Sequence, residues 1–181
     1  MLLPLVLTSF FLWIWFTSYT VRTLHSVPYC ISETYYVLDK KGWYFVAVLF
    51  FQAILLSCPI FGVASYSGKL IVWIAGIMEL IGILIVSFSP EFKTNHKQYI
   101  CHFTGSILGM IGSQTFIFFI CPWAFLCWIF PIGWKIYTTI HHHSIDCKKW
   151  EIEWFDSEDW LWHLENGMFL TTYIALLIAI L

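Results

Sequence analysis

Charge is what this sequence has least of. Asp, Glu, Lys and Arg make up 11% of its 181 residues, where a soluble domain carries about a quarter. With 60% of the residues hydrophobic, that shortage excludes an ordinary water-soluble globule, because a chain of this size cannot hide so much apolar side chain in one core. Basic charge is not in surplus either: the formal net charge is −2, which argues against a nucleic-acid partner. No CxxC pair occurs, so a zinc ribbon or thioredoxin-like redox centre has no support, and HExxH, the helix-borne zinc signature, is also missing. The opening MLLPLVLTSFFLWIWF carries neither a basic leader nor a small-x-small cleavage site and is expected to be a retained helix.

What the chain does have is long uncharged runs. Met1–Val21 and Gly42–Gly68 contain no Asp, Glu, Lys or Arg, and Leu70–Pro90 contains only Glu79. Tyr99–Trp134 is again uncharged. As one helix it would be ~54 Å long, far beyond a hydrocarbon core of ~30 Å. Pro122 offers a break. The runs therefore predict one all-α transmembrane domain over residues 1–181, a polytopic bundle of six helices at about 2–18, 43–63, 70–88, 99–120, 123–140 and 160–181. On that count Arg22, Lys40, Lys41, Lys93, Lys97, Lys148 and Lys149 collect on one side of the membrane and Lys69 alone on the other. The positive-inside bias then places both termini outside the cytoplasm, in a bacterial inner membrane. Cys30, Cys101 and Cys147 fall in or near cytoplasmic loops and Cys58, Cys121 and Cys127 in or beside apolar spans, so reduced thiols are expected. Residues 150–159 alternate aromatics with charges, as in a segment lying in the interface, and Asp156 or Ser157 would cap the last helix.

The final span poses the main question. WLWHLENGMFLTTYIALLIAIL begins with His163, Glu165 and Asn166, groups that lipid tails do not solvate. A carboxylate at the bilayer centre costs roughly 2.5–3.5 kcal/mol, less toward the interface. His163 and Asn166 share one helix face by their i, i+3 spacing and Trp162 and Glu165 the next, so this end should face the bundle. One reading is a cytoplasm-facing polar pocket. In it His102, His163 and Glu165, with Glu33 or His96, hold a divalent metal such as zinc, and Ser32, Glu33 and Glu165 stand where hydrolysis would occur. Another is plain packing, with Glu165 bonded to a Tyr or Ser and His163 reaching for the interface. A third is a ligand or ion path.

Glu79, in the middle of the third span, reads either as part of a proton or ion relay or as a protonated carboxyl bonded within the bundle. Lys135, Gln52 and Gln114 are its candidate partners. Gly105, Gly109 and Gly112 form a small-residue face for helix packing, internal or between copies in a homo-oligomer. The run His141–His143 points its rings in different directions on a helix and suits only adventitious metal binding.

Three stretches carry a resemblance: ISETYYVLDKKGWYF before the second span, PEFKTNHKQYICHFTGS entering the fourth and DWLWHLENG opening the last. They resemble a family of small six-helix membrane proteins of Bacteroidota and their phages, through Ser32, Thr34, Tyr35, Tyr36, Pro90, Phe92, His102, Trp160 and Glu165. That resemblance implies no activity. WLWHL is similar to an element in the last helix of alkaline-ceramidase-like membrane hydrolases, which hold zinc, and carries over only to His163. Two functions are expected from these readings. One is a non-enzymatic membrane component of a phage, mobile element or host complex, including a small oligomeric pore. The other is a metal-dependent intramembrane hydrolase acting on a lipid or amide.

Overall fold

A computed structural model describes residues 2–129, 132–133, 136–137 and 160–181. Among these residues all regular structure is helical. Helix α1 spans Leu2–Leu24. A 3-10 turn at Ile31–Glu33 leads into the short α2, Thr34–Val37, and a second turn at Asp39–Lys41 leads into α3, Trp43–Ser67. Then come α4, Leu70–Ser87, and α5, His96–Ile120, followed by a 3-10 segment Pro122–Trp128. The last helix, α6, covers Trp160–Ile180. Five of these helices are long and apolar enough to cross a membrane, as expected of a multi-pass protein.

The helix ends have local causes. Gly68 takes the left-handed conformation (φ 64°) that closes α3 and allows the tight turn into α4. Asn95 caps α5, its side chain accepting from the N–H groups of Lys97 and Gln98, so α5 starts three residues earlier than the charge pattern indicates. α1 runs past the expected end at residue 18 to Leu24, with Arg22 in its last turn, where a cation suits the helix dipole. The break expected at Pro122 is present: Cys121 leaves the helix (φ −150°, ψ 75°), as residues before proline tend to, and Pro122 opens the next turn. The sixth span expected at 123–140 is not established, because most of 130–140 lies outside the described residues. Outside them also lie Lys135, His141–His143, Cys147 and the 150–159 segment.

Packing between helices in a bilayer depends on close fit, because lipid is as apolar as the side chains it would replace. The closest fit is between α4 and α5. A Cβ on Gly82 would lie 2.3 Å from the backbone nitrogen of Gly109, and one on Gly112 would lie 2.4 Å from that of Glu79. The glycine face of α5 therefore packs on α4 within the protomer, the internal one of its two expected readings. At mid-depth α1, α3 and α6 are tied by a buried polar knot. Gln52 Nε2 donates to the Ser9 carbonyl at 2.9 Å, and the Ser9 and Tyr173 hydroxyls both bond the Gln52 side-chain oxygen. Gln52 is thus not a partner of Glu79, and Gln114 instead accepts from the Trp128 indole at 3.2 Å.

Contacts sort the helix ends onto two faces. The ends of α1 and α4, the starts of α3, α5 and α6, and residues 25–42 meet on one, the loop face: Trp162 N–H donates to the Tyr29 carbonyl at 3.0 Å and Lys93 pairs with Glu33. On the opposite face Leu2 packs beside Gly62, and Ile117, Cys121 and Ala124 of the α5 end cluster with Ala175 of α6. Helices α5 and α6 consequently run parallel, both starting at the loop face.

Candidate functional site

The 3-10 turn at Ile31–Glu33 is held from two helices at once. From α5, His102 reaches Ser32, with Nε2 2.8 Å from the Ser32 hydroxyl. From α6, the Glu165 carboxylate accepts the Ile31 backbone N–H at 2.6 Å. The other His102 nitrogen, Nδ1, lies 2.9 Å from the Ser89 carbonyl at the end of α4. A carbonyl oxygen can only accept, so Nδ1 carries the proton. In the neutral ring Nε2 is then an acceptor, and Ser32 donates to it. Phe92 stacks on the imidazole at 4.3 Å between ring centres and fixes its plane. Ser32 and His102 are 5% and 7% exposed. The result is a hydroxyl on an oriented base, the relation that nucleophilic catalysis requires.

This pair lies at the loop-face end of a cavity of about 370 Å³ between α4, α5 and α6, within the size range of small-molecule sites. Most of the lining is apolar. Tyr99 and Phe103 of α5 line it and are half exposed, so the cavity reaches the surface beside α5. Ser32, His102 and Glu165 mark one end. Glu79, only 3% exposed, lines it deeper in, with Ser113 and Thr172.

The expected site residues separate into groups. Ser32, His102 and Glu165 come together around one turn. Glu33 does not join them: its carboxylate pairs with Lys93 Nζ at 2.5 Å, accepts the Tyr29 N–H at 2.9 Å, and stays off the cavity wall. Asn166 is structural, taking the Trp13 indole N–H at 3.1 Å and donating to the Trp162 carbonyl. His163 is half-buried on α6. No group of three or more His, Cys, Asp or Glu side chains is placed to hold a metal among the described residues. The expected zinc set of His102, His163 and Glu165 is not assembled: both His102 nitrogens face protein partners, and Glu165 grips a backbone amide. Cys30, two residues before Ser32, is a poor rival nucleophile, because burial, with the Glu165 carboxylate beside it, pushes its thiol up to about 12.

Sequence reasoning missed Ser89, whose contribution is a carbonyl that no side-chain pattern marks. It also missed the Ser9–Gln52–Tyr173 knot, for which a lone Gln52 in an apolar run was an available signal. Comparison with family models, curated proteins and solved structures finds no match.

Proposed function

We propose that this chain is an intramembrane acyl hydrolase or acyltransferase working on a lipid ester. Ser32 is the nucleophile, His102 the base, and the cavity holds the acyl chain. The observation that carries this reading is the Ser32–His102–Ser89 carbonyl relay at the end of an apolar cavity. Ser32 Oγ attacks the ester carbonyl carbon as its proton passes to His102 Nε2. The bond to the leaving alcohol breaks as His102 returns that proton to it. Water, or an acceptor alcohol, deprotonated by the same nitrogen, then cleaves the Ser32 ester and releases the product. Glu165 touches no reacting atom in this scheme; it positions the turn that carries Ser32. A fluorophosphonate bearing a long alkyl chain tests it. The purified full chain is expected to label covalently, Ser32→Ala to lose the label, and His102→Ala to slow it by about 10²–10⁴-fold. Labelling that persists in Ser32→Ala would sink the reading.

A second reading is favoured by the low exposure of Ser32 and His102. There the pair is a hydrogen-bonded staple, and the cavity is a chain receptacle in a non-enzymatic membrane component. Chain binding without labelling selects it.

The full topology under this proposal has six crossings. In its support, α5 ends and α6 begins on opposite faces. The loop face carries Arg22, Lys40, Lys41, Lys93 and Lys97 against Lys69 opposite, which supports a cytoplasmic loop face.

A further inference from the structure

The deep end of the cavity contains a group that neither the relay nor the packing uses. Glu79 sits in the middle of α4, lines the cavity and is 3% exposed. Its Oε2 is buried with no hydrogen-bond partner among the described residues. A buried polar oxygen left unmatched is destabilising by about 1–3 kcal/mol, more if it is charged. The surroundings explain how it got there but do not satisfy it. Gly112 brings the α5 backbone against the Glu79 amide, and Gly76 and Gly82 thin α4 on either side of it. The Thr172 side chain stands beside the carboxyl and also lines the cavity. From Ser87 to Glu79 the α4 axis rises about 12 Å, and from Glu165 to Thr172 the α6 axis rises about 10 Å. The cavity thus has polar groups at two levels, with a mostly apolar lining between them that includes one hydroxyl, that of Ser106.

We infer that Glu79 is a ligand-reading residue: its carboxyl oxygen accepts a hydrogen bond from a hydroxyl carried partway along the acyl chain that occupies the cavity. The ligand class is a hydroxylated acyl chain, its carbonyl end at Ser32–His102 and its hydroxyl at Glu79–Thr172. A plain chain fills the same space but leaves the carboxyl oxygen unmatched, and sites built around a polar group discriminate against ligands that lack it. The inference rests on the chain-binding reading of the cavity; it does not require Ser32 to react.

The test is equilibrium binding to the full chain in lipid nanodiscs, with stearate, a mid-chain hydroxystearate and the corresponding methoxystearate as probes. Hydroxystearate is expected to bind about tenfold more tightly than the other two, the equivalent of one well-placed hydrogen bond. In Glu79→Leu the preference should vanish while stearate affinity holds and the thermal midpoint does not fall, since an unmatched buried oxygen is removed, and in Ser32→Ala the preference should persist. Equal affinities for stearate and hydroxystearate in the unmodified protein, or a preference that survives Glu79→Leu, would overturn the inference. The comparison in the unmodified protein decides even if that variant fails to fold. Failure of every probe to bind would instead remove the chain-binding reading itself, and loss of fluorophosphonate labelling alone would remove only the catalytic one.

Discussion

Removing the Glu165 carboxylate leaves the Ile31 N–H without its acceptor and frees the turn that carries Ser32. Glu165→Leu is expected to lower unfolding stability by about 1–3 kcal/mol and to slow fluorophosphonate labelling of Ser32. Glu165→Gln, whose amide oxygen still accepts, should recover most of both. Thermal unfolding and labelling rates measured on the same preparations check this, and a Gln variant as impaired as Leu would show that charge, not positioning, matters. At this scale the sequence was legible in part. Polar residues in a greasy helix start announced that Glu165 and Asn166 need partners, and both have them. Which partners was not legible, because the acceptors and donors they found include backbone groups of Ile31 and Trp162, and backbone atoms are alike at every position. The expected metal set was misleading for the same reason: among the described residues His102 and Glu165 already engage a carbonyl, a hydroxyl and an amide.

Between elements, the α4–α5 contact depends on three glycines of unequal consequence. A methyl group at Gly82 or Gly112 would collide with backbone at 2.3 or 2.4 Å, whereas at Gly109 the nearest atom is 3.6 Å away. Gly82→Ala and Gly112→Ala should therefore each destabilise the protein by about 1–3 kcal/mol, and Gly109→Ala should be close to neutral. Thermal or denaturant unfolding in detergent ranks them, and a Gly109 variant as damaged as the other two would mean that the helices meet differently. The glycine spacing on α5 was readable from the sequence. Its partner was not, since a small-residue face reads the same whether the opposing helix belongs to the same chain or to another copy. Helix breaks were readable where chemistry is local, at Gly68 and Pro122. The early start of α5 came from Asn95, a cap inside a stretch read only as loop.

For the molecule as a whole, the contacts put Leu2 and the C-terminal end of α6 on one face and residues 25–42 and 88–95 on the other. Tags at the two termini should thus report the same side in a protease- or reporter-accessibility assay, and a site in 25–42 the opposite side. Opposite-side termini would refute the arrangement. The membrane class was plain from composition alone, because 60% hydrophobic residues and 11% charge leave few alternatives. The cavity was not, because a void is a property of how helices splay and no single segment encodes it.

The turn at Ile31–Glu33 is synthesised before α5 and α6, yet two of its holds come from His102 and Glu165 on those helices. A ribosome-bound or truncated product that stops before α6 carries Ser32 without one of the two grips that set its place. Placement of Ser32 is thereby tied to the arrival of α6, a later helix that secures a turn made long before it.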